Sequence, residues 1–158
     1  MKKRILFMLL IGVLIIDLTG CGNKVEKIDE ATFYEKIEKV IASNNELSDI
    51  KINSSDKIVY VGSYPVGFYQ VGDKAVVGLI SMDAKGYQYE KMMTAAFMTI
   101  DKKLDYDEAA EMAHDLGISF LTGGDDIVKN GIKYSWKDNG TLKYGGHEFT
   151  AWYIYFDK

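Results

Sequence analysis

The sequence predicts an α+β protein of two layers: an antiparallel sheet of about five strands with three helices mainly on one face, in the order α-β-β-β-α-α-β-β. Three observations carry this expectation. Apolar stripes at helical spacing come grouped, one early and two together in the middle, rather than alternating with strands as a parallel sheet requires. Residues 57–82 are runs of Val, Ile and Tyr broken by turn residues. Residues 132–156 repeat that pattern, with Asn-Gly and Gly-Gly as punctuation and a dense aromatic ending.

The elements follow in order. Asp29 is placed to cap a helix over 30–43, where Phe33, Ile37, Val40 and Ile41 form one apolar stripe and Asn44-Asn45 ends it. A short strand at 50–53 can precede a meander. Its strands are 57–62, 66–71 and 74–82, joined by turns at Ser63-Tyr64-Pro65 and Gly72-Asp73. Tyr89, Met92, Met93, Ala96, Phe97 and Ile100 fit a second helix and fit a strand badly. Asp105 and Glu108 form a capping pair, with Leu104 and Ala109 as a hydrophobic staple, for a third helix that Gly117 stops. Residues 118–130 show no clear period, and a short turn after Gly123-Gly124 is the reading there. Gly131 leads into a strand at 132–137. Asn139-Gly140 predicts a type I′ hairpin to a return strand at 141–144, and the last strand covers 147–156 after Gly145-Gly146.

Ahead of this domain, residues 1–20 have the three parts of a secretory signal. Lys2, Lys3 and Arg4 form the positive start, Ile5 to Ile16 is an apolar run, and Asp17 closes it. The run is too short for a hydrocarbon layer of ~30 Å, which takes about 20 residues to cross, so it reads as a processed export signal. Leu18-Thr19-Gly20-Cys21 resembles the lipobox of bacterial lipoproteins. In layout the chain is similar to small uncharacterised lipoproteins of Gram-positive bacteria. The resemblance implies cleavage before Cys21, a diacylglycerol on its thiol, and a chain held on the extracytoplasmic face of the cell membrane. The division is then a signal at 1–20, a lipidated tether at 21–28 and one domain over 29–158. Gly22 to Ile28 spans at most ~25 Å, so the domain sits close to the membrane.

Removing Lys2, Lys3, Arg4 and Asp17 leaves 16 basic and 22 acidic residues, a net charge of −6. That balance argues against binding a phosphate backbone, so no nucleic acid is expected as a partner. Arg4 is the single arginine, and processing discards it with its capacity for bidentate anion capture. Cys21 is the single cysteine, so the processed chain has no thiol for a disulfide, metal site or nucleophile.

The chemistry-bearing residues are few. His114 points away from the stripe Ala109, Met112, Ala113 and Leu116, and Glu111 lies three residues before it. A di-iron bundle needs two such Glu-x-x-His copies, and a solvated helix end favours a histidine on its own account. His147 and Glu148 are strand neighbours that cannot form a direct pair. Gly123-Gly124-Asp125-Asp126 lacks the alternating oxygens and distal Glu of a calcium loop, and reads as a capped turn. Met82, Met92, Met93, Met98 and Met112 fall mostly on apolar stripes and read as core. No cofactor, metal site or catalytic residue set is expected.

The aromatics stand out instead. Tyr64, Phe68, Tyr69, Tyr144, Trp152, Tyr153 and Tyr155 lie on strands, where alternation sends some rings to each face. Tyr144, Trp152, Tyr153 and Tyr155 are therefore the candidate binding residues, and Cys21 the lipidation site. The expected function is a non-catalytic binding or accessory module with a protein, peptide or glycan partner in the envelope. The alternative is an envelope hydrolase or metal-dependent enzyme using His114 and His147.

Overall fold

In the computed structural model the described residues are 29–71, 75–80, 84–120, 123–144 and 147–157; over 75–80, 137–144 and 147–157 the description is of the backbone. The first helix, α1 (Glu30–Ser43), starts where a carboxylate replaces a missing helix partner. Asp29 accepts from the Thr32 backbone N–H at 3.0 Å and from its hydroxyl at 2.7 Å. The backbone bond is the main reason that its pKa is lowered.

Four strands follow: β1 (Ile50–Ile52), β2 (Ile58–Val61), β3 (Tyr64–Val71) and β4 (Ala75–Ile80). Then come α2 (Gly86–Ile100) and α3 (Tyr106–Asp115), a 3-10 turn at Ile118–Phe120, and the strands β5 (Ile127–Lys129), β6 (Ile132–Tyr144) and β7 (His147–Asp157). The strands form one antiparallel sheet in the order β1-β2-β3-β4-β7-β6-β5. The α+β class holds, and the described strands number seven rather than about five.

The stripe Tyr89, Met92, Met93, Ala96, Phe97 and Ile100 is buried throughout, and Thr94, Ala95 and Thr99 on the other sides of α2 are buried as well. A helix apolar nearly all round belongs between other elements. Accordingly α2 touches β2, β3 and β4 below it, α1 on one flank and α3 on the other. Asp105 caps α3 by accepting from the Glu108 N–H at 2.9 Å, and Gly117, at φ +71°, ends it. At the start of α2, the Gln88 side chain accepts from the Lys85 N–H at 2.6 Å and donates to the Val61 carbonyl at 3.2 Å.

Two buried tyrosines tie the layers together. The Tyr34 hydroxyl donates to the Tyr69 carbonyl and the Tyr69 hydroxyl to the Met92 carbonyl, each at 2.7 Å. The Phe33 ring packs edge-on to Tyr69 at 5.4 Å. Burial, then the neighbouring Tyr34, pushes the Tyr69 phenol well above its ordinary pKa. Tyr134, packed edge-on to Phe97 at 5.2 Å, is pushed up by burial and by the Asp101 carboxylate.

Several turns differ from the sequence expectation. The β2–β3 turn is Gly62-Ser63, one residue earlier, because Val61 pairs with Tyr64 and Gly62 supplies φ +65°. Pro65 then lies inside β3, where a register shift between Val59 and Tyr60 accommodates it. Val71 pairs with Ala75, and the turn expected at Gly72-Asp73 lies outside the described residues. The short turn expected after Gly123-Gly124 falls before it, at Ile118–Phe120, and β5 follows.

The largest difference concerns the two Asn-Gly pairs. Asn130-Gly131, with φ of +52° and +82°, forms the tight β5–β6 turn between Lys129 and Ile132. Asn139-Gly140 does not turn the chain. Asp138 pairs with Trp152 and Thr141 with Thr150, so two residues of β6 oppose Ala151 alone in a β-bulge. The strand runs on to Tyr144, which pairs with His147 across Gly145-Gly146. A turn at Asn139-Gly140 would have left a return strand of four residues. The longer hairpin pairs β6 with β7 along nearly its whole length.

The fold has two ends. Phe33 and Tyr34, in the first half of α1, lie against Tyr69 near the close of β3, and Lys57 stands 4.9 Å over the Tyr34 ring. At this same end α2 finishes, and the buried Asp101 carboxylate accepts from the Asn130 amide at 2.6 Å. At the other end are Gly62-Ser63, the start of α2, the finish of α3 and the β6–β7 tip.

Candidate functional site

The features that invite a partner collect at the end opposite Asp29. Tyr64 opens β3 there and is 43% exposed. Tyr87, in the first turn of α2, is 55% exposed, and Phe120, just past α3, is 67% exposed. These are three of the four exposed large apolar side chains among the described residues; the fourth, Val128, is on β5. Large rings left in water at one end of a domain mark an interaction surface more often than single scattered ones do.

His114 belongs to the same end. Its Nδ1 lies 3.1 Å from Glu90 Oε1, and its ring meets Phe120 edge-on at 6.2 Å. Its partner is therefore Glu90 on α2, not Glu111 of the Glu-x-x-His spacing. The side chain is 63% exposed and sits in the last turn of α3, as expected of a solvated helix face. An exposed pair of this kind contributes about 0–1 kcal/mol.

The β6–β7 hairpin extends this end. The described pairing of β4 with β7 runs from Val76 with Tyr155 to Ile80 with Ala151, and that of β6 with β7 continues to Tyr144 with His147. On its other side β6 is covered by β5 only over Ile132–Tyr134. Ser135 and Trp136, which follow, are buried, and Gly123 lies against the Trp136 ring.

The four candidate binding aromatics are spread along this hairpin. Tyr144 pairs with His147 at the tip. Trp152 stands opposite Leu79 and Asp138, and Tyr153 opposite Gly78 and Lys137. Tyr155 stands opposite Val76 and Ser135, roughly 27 Å down the strand from His147. Their side chains, like that of His147, lie outside the described residues. β3, two strands from β7, gives a measure of this sheet. Tyr69 and Phe68 are adjacent and both 2% exposed, so both faces are covered at that point of β3. Tyr64 alone of the described aromatics on β3 is open to water.

Cys21 lies outside the described residues, as does Met82. Met92, Met93 and Met112 are core, with Met98 packed against it. Asp126 pairs with Lys133 across the β5–β6 hairpin. Among the described residues no group of three or more His, Cys, Asp or Glu side chains could hold a metal ion, and no described helix is long and apolar enough to cross a membrane. Sequence reasoning passed over Tyr87, Glu90 and Phe120. Tyr87 had a signal, since it stands one turn ahead of the apolar stripe of α2 without belonging to it.

No family model, curated protein or solved structure matches the chain.

Proposed function

We propose that the protein is a lipid-anchored, extracytoplasmic binding or accessory module that holds its partner at the end away from the membrane. The observation that carries this reading is the separation of the two ends. The tether leads into α1, whose first half lies against Tyr69 near the close of β3, whereas Tyr64 at the start of β3, Tyr87 and Phe120 lie toward the opposite end. A seven-residue tether, from Gly22 to Ile28, keeps the first end near the bilayer and turns the second toward the envelope. The net charge of −6 gives no attraction to anionic lipid heads, so the acyl group on Cys21 does the holding.

The test has two readings. Cys21→Ala protein should leave the detergent phase, lose the acyl mass and cease to respond to a lipoprotein signal-peptidase inhibitor; unchanged behaviour in all three would refute the anchor. Replacing Tyr87 and Phe120 together by Ser should abolish in-cell crosslinks to envelope partners while the far-UV spectrum stays that of the parent. An identical crosslinking pattern would refute the site.

A further inference from the structure

We infer that Asn130-Gly131 is a site of spontaneous modification, and that conversion of Asn130 to an acid sets a carboxylate against the buried Asp101 and frees the β5–β6 turn from the end of α2. The site stands apart from the anchor and from the partner-binding end. In an Asn-Gly pair the backbone nitrogen after the asparagine has no side chain to screen it. The Gly131 nitrogen attacks the side-chain carbonyl carbon of Asn130, forming an N–C bond while the bond to Nδ2 breaks. Ammonia leaves, carrying the proton of the Gly131 nitrogen. Water then opens the cyclic imide at one carbonyl or the other, giving aspartate or isoaspartate. Water is the single co-reactant.

The turn sets when this happens. Asn130 and Gly131 hold left-handed conformations, with φ of +52° and +82°. The Asn130 amide donates to the Asp101 carboxylate at 2.6 Å. That bond fixes the group under attack, so the reaction waits for the turn to open. Opening is a local event here. β5 ends the strand order of the described sheet and is joined to β6 over Ile127–Lys129 alone. Such short edge elements open at a lower free energy than the whole domain. Solvent is at hand, because Gly131 is exposed and a methyl on it would meet nothing within 4 Å.

The consequence follows from what the amide holds. Asp101 is 6% exposed and caps the end of α2, and its other oxygen accepts from the Lys103 N–H at 3.1 Å. An acid at position 130 removes the donor and brings two like charges together at a buried place. The lysines of the hairpin are already engaged, Lys129 with Glu108 at 3.0 Å and Lys133 with Asp126. Isoaspartate also lengthens the main chain by a carbon inside a two-residue turn. The converted turn therefore does not return to its place, and each opening that ends in conversion is kept.

The full-length protein is incubated in mildly alkaline buffer, native and in urea, and the peptides holding Asn130 and Asn139 are followed by mass. Asn139-Gly140 in the urea sample shows that the conditions suffice for the chemistry. Native conversion at Asn130 should proceed at least about ten-fold more slowly than in urea, as a reaction that waits on local opening does. Asn130→Asp, the product made directly, should lower the urea midpoint. Adding Asp101→Asn, which exchanges acid and amide across the contact, should recover most of that loss. Where Asn130→Asp alone does not fold, a folded exchanged pair counts as the recovery. Absence of acid at Asn130 in the native protein, a native rate equal to that in urea, a parental midpoint for Asn130→Asp, or no recovery in the exchanged pair overturns the inference.

Discussion

Tyr69→Phe should destabilise the protein at neutral pH and stabilise it in strong alkali. The hydroxyl donates to the Met92 carbonyl at 2.7 Å from a side chain that is 2% exposed. Met92 is within α2, so its carbonyl keeps a helix partner when the hydroxyl goes, and the net loss is about 1 kcal/mol. The alkaline side follows from linkage. Burial raises the folded-state pKa of Tyr69 well above its ordinary value, so the folded chain retains a proton that the unfolded chain gives up above pH ~10. The stability due to the neutral buried phenol is thus fully present below pH ~10 and is lost as the pH rises toward the folded pKa. At pH ~11 an unfolded tyrosine has gained about 1.4 kcal/mol by ionising, and phenylalanine gains nothing. The two stability curves should therefore cross a little below pH ~11. Urea unfolding at several pH values from neutral to ~11 measures the difference directly. A constant gap between parent and variant across that range would refute the account of Tyr69 as a buried, neutral, hydrogen-bonded phenol.

Gly124→Ala should cost about 1–3 kcal/mol, read as a lower urea midpoint, because the added methyl would meet the Asp115 carbonyl oxygen and lie 2.8 Å from the Leu116 carbonyl carbon, both backbone atoms. An unchanged midpoint would mean that the strand-side loop does not pass so close to the end of α3. His114→Ala should change stability by no more than about 0.5 kcal/mol, since the Glu90 pair is solvated. A loss above about 1.5 kcal/mol would show that the pair is holding α3 to α2.

The helices were the legible part of this fold. A stripe of six apolar positions and two aspartate caps are local signals, and each kept its meaning in the assembled protein. The sheet was legible in class but not in detail, because its turns are decided by competition between pairings. Asn139-Gly140 carries a good turn signal in isolation. It loses to the longer ladder that runs on to Tyr144 and His147, whereas the identical dipeptide at 130–131 turns the chain between Lys129 and Ile132. Short strands such as β5 carry too few residues for a period to show. The candidate surface was less legible still. His114 was correctly placed on a solvated face, yet its partner Glu90 lies 24 residues away on another helix, a juxtaposition that only packing α3 on α2 creates. Phe120 meets His114 for the same reason.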